Sequence, residues 1–220
     1  MSEVFLQGNL VNLRMPDIDR DVRTGSWHKW FNDEQITKFL YHGVFPVSRE
    51  KQVEIVRSNL SRNDLVLLAI ADKESDEIVG IVSLKDIDLL NRLADITIVM
   101  GSGKYPNGAP LEAMALMTSY GFERLNLNKI QAGQHVGLWK WVNTLALIGY
   151  KLEGYIRQTH IRYGSISDSV RVGITADEYF AIIDSRKGKY LTNDVAELLK
   201  QRRKENMCQA LKMLVEDCGN

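Results

Sequence analysis

The sequence predicts an α+β domain in which helices flank a mixed, mostly antiparallel sheet, followed by a C-terminal helical extension. Apolar, strand-like runs separated by short turns fill the centre of the chain. Segments with apolar residues at helical spacing lie between those runs, and after Ile183 only the helical spacing remains. We therefore expect a main domain over residues 1–183 and an amphipathic helical tail over residues 184–220.

Composition limits the classes of protein to which the chain can belong. It has 220 residues, 45% of them hydrophobic, with 28 basic and 28 acidic side chains and a formal net charge of zero. This composition is typical of one globular domain with an appendage, and it excludes a disordered chain, a collagen-like repeat and a disulfide scaffold. Nucleic acid is not an expected partner, because phosphate binding relies on a basic surface.

The sequence also predicts where the protein resides. The start of the chain has no basic region followed by an apolar stretch, and no apolar run approaches the ~18 residues of a membrane span. The cysteines, Cys208 and Cys218, lie in the tail and are interpreted as reduced thiols. We therefore expect a cytoplasmic protein with no membrane segment.

The first half of the chain predicts strands, helices and a hairpin. A strand is expected over residues 10–14, a helix from Pro16-Asp17, and a second helix capped by Ser48. Residues 65–71 and 77–84 form an antiparallel hairpin about a polar turn. The elements that follow are a strand at 94–100, a loop at 101–109, and a helix from Pro110 to Tyr120 with Gly121 near its end.

The second half adds a strand, a helix, a hairpin and the tail. They are a strand at 129–136, a helix at 138–148 ended by Gly149, and two strands at 150–162 and 169–174. In the tail, Asn193 is the expected helix cap, and Met207, Ala210, Leu211 and Leu214 share one helical face. That face either packs on its own domain or forms a homodimer contact.

The strand–loop–helix joint over residues 94–116 is the feature most suggestive of chemistry. A helix start leaves about four N–H groups unpaired and carries a partial positive charge, so a flexible loop before it suits a phosphate. Many such joints contain glycine for turn geometry alone, and this alternative stays open.

Several motifs, taken in order, carry a resemblance to a known family. They are Lys85–Asn91 followed by Ala94-Asp95-Ile96, Leu111-Glu112-Ala113, Tyr120–Ile130, Gly149–Arg157, and Tyr163-Gly164 with Asp168. Over about Leu10 to Phe180 the chain resembles the GCN5-related N-acetyltransferases (GNAT). The branch it resembles contains ribosomal-protein N-terminal acetyltransferases and bacterial amino-sugar N-acetyltransferases. The resemblance implies acetyl-CoA as co-substrate and no metal.

The resemblance also implies which residues hold acetyl-CoA. The family's pyrophosphate-binding pattern falls on Tyr105, Gly108 and Pro110, of which only Gly108 matches, and Pro110 has no N–H to donate. The family's pantetheine-binding asparagine would fall at Leu138, and Asn143 on the same predicted helix would take its place if the helix register shifts. The predicted cofactor-binding residues are Val99, Met100, Lys104, Asn107, Gly108, Ala109, Leu111 and Asn143.

Acetyl transfer to an amine needs a base, an oxyanion site and a proton for the thiolate. Asp95 occupies the place of the family's strand glutamate and is the expected base, although a strand-end aspartate can also be purely structural. His135, whose imidazole titrates near neutral pH, is the competing base. The family's acid position falls on Leu145, so Thr144 is the expected replacement. The predicted catalytic residues are therefore Asp95, His135 and Thr144.

The acceptor site is expected between the first helices and the last two strands. Trp27, Trp30 and Tyr41 are predicted to stack on the acceptor, and Arg157 and His160 to bind its polar groups. The favoured acceptor is a primary amine on a nucleotide-linked amino sugar. The alternatives are a protein N-terminal α-amine, or a non-catalytic CoA-binding module, which Pro110 and Leu145 favour.

Overall fold

The computed structural model describes residues 3–40 and 43–217 and contains one eight-stranded sheet. The sheet order is β1-β2-β3-β4-β5-β6-β8-β7. The strands are β1 (Val4–Gln7), β2 (Val11–Arg14), β3 (Val66–Asp72), β4 (Ile78–Asp88), β5 (Leu93–Met100), β6 (Lys129–His135), β7 (Lys151–Arg162) and β8 (Ser165–Thr175).

Helices cover both faces of this sheet and form the tail. Four helical segments join β2 to β3, namely a π-helical turn (Ile18–Thr24), α1 (Trp27–Trp30), α2 (Glu34–Thr37) and α3 (Arg49–Leu60). The others are α4 (Ala109–Glu123), α5 (Trp139–Leu145) between short 3-10 turns at Val136–Leu138 and Ala146–Ile148, α6 (Ala176–Ser185), α7 (Val195–Lys200) and α8 (Met207–Asp217). The predicted mixed α+β fold with a helical extension is confirmed.

The parallel pairing of β5 and β6 decides where a ligand can enter the sheet. Every other pair of described strands is antiparallel. β5 and β6 pair only at Leu93–Lys129, Ala94–Ile130 and Asp95–Gln131, although both strands continue beyond these pairs. The two strands therefore diverge after Asp95 and open a V-shaped cleft inside the sheet.

A hydrophobic core lies on each face of the sheet. One core joins α4 and α5 to the sheet through residues such as Met114, Met117 and Leu145. The second lies under α3 on the opposite face and contains Trp27 and Trp30. Because strand residues alternate between faces, Ala94 and Ile96 point into the first core and Asp95 points to the opposite face.

Glu112, in the first turn of α4, fastens that helix to the start of the sheet. Its carboxylate is 2% exposed and accepts backbone N–H bonds from Asn9, Leu10 and Val11 at 2.7–2.9 Å. Gly8 permits this approach, because a Cβ there would lie 2.6 Å from the Glu112 carboxylate. Glu112 therefore fixes the position of the N-terminus of α4.

Several local predictions from the sequence differ from the structure, among them those for β1, α6 and the cap of α7. β1 was not expected, because Val4–Gln7 is short and its pattern gives little alternation. Helix α6 was not expected either, and it contains the predicted domain boundary at residue 183. In the tail, Asp194 and not Asn193 caps α7, since the Asp194 side chain accepts from the backbone N–H of Glu197.

The described part of the chain contains neither a membrane-spanning helix nor a metal-binding cluster. None of its helices combines the length and apolar character needed to cross a membrane. Within residues 3–40 and 43–217, no group of three or more His, Cys, Asp or Glu side chains is arranged to hold a metal ion.

Candidate active site

The cleft between β5 and β6 presents an open strand edge in the interior of the sheet. From Ile96 onward, no described strand pairs with the β6-facing edge of β5, whereas its other edge pairs with β4 as far as Met100. Backbone N–H and C=O groups on such an edge can bind an extended chain that contains amides. Val99 and Met100, two predicted cofactor-binding residues, lie on this part of β5.

The loop after β5 leads into α4 at the mouth of the cleft. Gly108 is the N-cap of α4 and has φ +95°, a left-handed conformation that favours glycine. The N–H of Ala109 donates to Pro106 O. Ala109 was expected to offer a free donor to the cofactor, and the structure corrects this expectation. The amides of Gly108 and Leu111 have no hydrogen-bond partner among the described residues. Those two amides, with the exposed Lys104 and Asn107, could hold a pyrophosphate.

The expected acceptor-stacking aromatics do not line this cleft. Trp27 and Trp30 are 1% and 2% exposed, with ring centroids 6.2 Å apart. Trp30 packs under Gly101, where a Cβ would lie 2.5 Å from its ring. Burial leaves neither indole free to stack on an acceptor, so the structure corrects this expectation. Tyr41 lies outside the described residues.

Asp95 lies at the closed end of the cleft beside a cation that sequence reasoning did not single out. Arg171 of β8 crosses Gly133 of β6, where a Cβ would lie 3.9 Å from its Nη1, and donates to Asp95 Oδ1 at 3.4 Å. Asp95 is 22% and Arg171 37% exposed, so both groups are accessible from the face opposite α4. Period-two alternation along β8 is the only sequence signal that could have found Arg171.

His135 lies at the open end of the same face. Asp95 is in register with Gln131, so His135 is four residues, roughly 13 Å, further along β6. Its Nδ1 accepts the N–H of Gly137 at 2.9 Å, and its ring contacts those of Phe39 and His160, each with a centroid distance of 4.7 Å. Burial and, to a smaller extent, the neighbouring His160 lower the pKa of His135.

The hydrogen bond to Nδ1 determines what neutral His135 can do. With Nδ1 accepting from Gly137, Nε2 carries the ring proton and cannot accept another. The structure therefore does not bring His135 together with Asp95, and it leaves neutral His135 without a free ring nitrogen to accept a proton.

Asn143 and Thr144 on α5 are buried under the tail. Asn143 is 2% exposed, and its Nδ2 donates to the backbone oxygens of Arg203 and Glu205 at 3.0 and 2.6 Å. Thr144 donates its hydroxyl proton to Lys140 O at 2.8 Å and lies 3.4 Å from Arg202 Nη1. Its proton is already engaged, so the structure does not support Thr144 as the acid that replaces Leu145.

Arg157 and His160 lie in different places on β7. An irregularity in the β7–β8 pairing between Ile156 and His160 separates them. Arg157 lines a cavity of about 490 Å³ together with Tyr155, Gln158 and Val215 of α8. His160 instead contacts His135, so the structure gives these two predicted acceptor-binding residues different neighbours.

Comparison with known proteins decides the family. The profile of the acetyltransferase (GNAT) domain matches residues 11–137, more than half of the chain. The chain belongs to the GNAT acetyltransferase family. It is an acetyltransferase that uses acetyl-CoA as the acetyl donor.

Relatives of this GNAT acetyltransferase resemble it over most of its length. An uncharacterized N-acetyltransferase, p20, of Bacillus licheniformis is 27% identical over 167 residues, 73% of this chain and 89% of the relative. The spermidine N-acetyltransferase of Vibrio cholerae, solved with CoA and spermine, has a TM-score of 0.71 and 21% identity over 79% of this chain and 99% of that one. A GNAT-family acetyltransferase of Bacillus anthracis has a TM-score of 0.65 and 18% identity over 78% and 98%.

Proposed function

We propose that this acetyltransferase acetylates the primary amine of a small, cytoplasmic acceptor that also carries a negative charge. The class we favour is a nucleotide-linked amino sugar. The observation that carries the proposal is the Asp95–Arg171 pair at the closed end of the cleft. A carboxylate suits the ammonium group of the acceptor, and the adjacent guanidinium suits a phosphate or carboxylate on the same molecule.

Acetyl-CoA, the donor, is proposed to lie along the open edge of β5 with its pyrophosphate at the N-terminus of α4. The acceptor then approaches from the opposite face, where Asp95 takes a proton from its ammonium group. The neutral nitrogen forms a bond to the thioester carbonyl carbon, gives up its second proton to water, and the carbon–sulfur bond breaks. The products are an acetamide and CoA.

The leaving thiolate takes its proton from water in this proposal. Leu145, at the family's acid position, is fully buried and has no proton to give. The Thr144 hydroxyl donates to Lys140 O. Rate enhancement then comes from positioning the two reactants and from proton removal by Asp95.

A polyamine is the second candidate acceptor. The structural neighbour from Vibrio cholerae is a spermidine N-acetyltransferase, and Asp95 could bind either end of such a cation. Arg171 disfavours this candidate, because a guanidinium within reach of Asp95 repels a second ammonium group.

Arg171→Gln distinguishes the two acceptor classes by the sign of its effect. With an acceptor that carries an anionic group, we expect KM for the acceptor to rise at least several-fold, since the ion pair is lost. With a polyamine, KM should fall. The measurement is CoA thiol release with a UDP-linked amino sugar, spermidine and a peptide with a free N-terminus, with Arg57→Gln on exposed α3 as the control. Turnover with spermidine alone, and a lower KM in Arg171→Gln, would contradict the favoured acceptor.

A further inference from the structure

We propose that the C-terminal tail is an internal competitor of acetyl-CoA. Residues 195–208 lie across the groove between the N-terminus of α4 and helix α5, and they leave that groove when the cofactor binds. The inference rests on the proposed position of acetyl-CoA. Three contacts carry it, one at each side of the groove and one in the core between them.

The first contact covers the proposed pyrophosphate site. Val195, the first residue of α7, lies so close to Gly108 that a Cβ on Gly108 would be 2.6 Å from its Cγ1. Val195 is 3% exposed. An apolar side chain on the N-cap of α4 gives the free amides of this turn no hydrogen bond, and it keeps an anion from approaching the backbone there.

The second contact is made by the segment between α7 and α8. Asn143 donates to two backbone carbonyls of this segment, those of Arg203 and Glu205. The pantetheine arm of CoA is likewise an extended chain with two amide groups, so its carbonyls can accept the same hydrogen bonds. The tail therefore presents the same kind of acceptor to Asn143 as the cofactor does.

The tail satisfies Asn143 only in part. Its Oδ1 is buried and has no hydrogen-bond partner among the described residues. A buried, unpaired acceptor is costly, and a pantetheine N–H can supply the missing donor. When the cofactor replaces the tail, the unpaired Asn143 Oδ1 gains a hydrogen bond. This gain favours displacement of the tail by the cofactor.

The third contact is the packing of a few tail side chains in the core of the main domain, while the rest of the tail stays exposed. Leu198 and Cys208 are 5% and 1% exposed and belong to the core shared with α4 and α5. Met213 and Leu214 on α8 are about 60% exposed. The linking segment Arg202–Lys204 is exposed and carries only basic side chains. The apolar contacts of residues 195–211 with the main domain therefore centre on Val195, Leu198 and Cys208, with Leu199 and Leu211 partly buried beside them.

With competition of this kind, the apparent association constant for CoA is the intrinsic one multiplied by the fraction of molecules whose groove is open. A tail that is mostly closed therefore lowers the apparent affinity for CoA. Leu198→Asp places a charge in the buried contact and should release the tail. We expect the dissociation constant for CoA, measured by calorimetry on the full chain, to fall at least ten-fold. Leu214→Asp makes the same change on an exposed side chain, and its dissociation constant should match that of the wild type within two-fold. An unchanged or weaker CoA affinity in Leu198→Asp would overturn the inference.

Trypsin provides a second test that needs no destabilising substitution. The bonds after Arg202, Arg203 and Lys204 are its substrates, and Asn143 holds the carbonyls of Arg203 and Glu205, within and next to these bonds, when the tail is closed. Saturating CoA should accelerate cleavage there at least several-fold in the wild-type chain. Slower or unchanged cleavage would mean that the tail covers bound cofactor or lies outside its path, and either result overturns the proposal. CoA binding to none of these proteins would overturn the proposed cofactor site itself.

Discussion

Asp95→Asn is expected to reduce turnover about 10²-fold while leaving the affinity for acetyl-CoA nearly unchanged. The substitution keeps the size and shape of the side chain and removes its ability to take a proton from the acceptor. The defect should shrink as the pH rises, because a larger share of the acceptor then arrives as the neutral amine. The measurement is the initial rate of CoA thiol release at saturating acetyl-CoA.

Two controls separate proton removal from the ion pair with Arg171. Asp19→Asn changes an aspartate that is 74% exposed on the distant π-helical turn, and it should leave the rate unchanged. If the loss in Asp95→Asn came from an unpaired Arg171, adding Arg171→Gln would restore the rate, and we expect no restoration. A near-normal rate for Asp95→Asn with a large loss for His135→Gln would assign the base to His135.

Glu112→Ala is expected to destabilise the fold by about 3–5 kcal/mol, because it leaves three backbone donors without their acceptor. The loss also removes a negative charge from the first turn of α4, where it interacts favourably with the helix dipole. The measurement is the free energy of unfolding from urea titration.

Glu54→Ala is the matched control for this change. Glu54 is 68% exposed on α3 and, among the described residues, pairs with Lys51 alone, so its loss should cost less than about 0.5 kcal/mol. If Glu112→Ala cost no more than Glu54→Ala, the three hydrogen bonds to residues 9–11 would not be what fastens α4 to the sheet.

Most strands and helices could be predicted because their patterns are local. The hairpin of β3 and β4 follows from two apolar runs about a polar turn, and the left-handed Gly149 follows from its place after an apolar helix. Helix α4, in contrast, continues to Glu123, past its expected end near Gly121. β1 could not be predicted, because its four residues become a strand only by pairing with β2. Asn193 and Asp194 are both good caps, and the sequence does not choose between them.

The site was harder to predict because it depends on long-range geometry. Asp95 and Gly108 lie on the strand and loop that the resemblance indicated. Trp27 and Trp30 have the composition of a stacking surface, but the core under α3 buries them. Arg171 reaches Asp95 across a third strand, which no spacing along the chain reveals.

The packing partner of the tail also depends on long-range geometry that the sequence does not reveal. Helical spacing predicted an apolar face on residues 195–214, but not the surface that the face covers. The structure packs Val195 and Leu198 on the main domain, and a dimer contact through the exposed part of α8 stays a prediction.

Binding of acetyl-CoA along the open edge of β5 is tested most directly by hydrogen–deuterium exchange of the full chain with and without CoA. The backbone amides of residues 96–101 and 107–111 should exchange more slowly when CoA is bound, because the unpaired strand edge and the start of α4 become hydrogen-bonded to it. Unchanged exchange in both segments, with protection confined to the cavity at residues 155–158, would contradict this position of the cofactor.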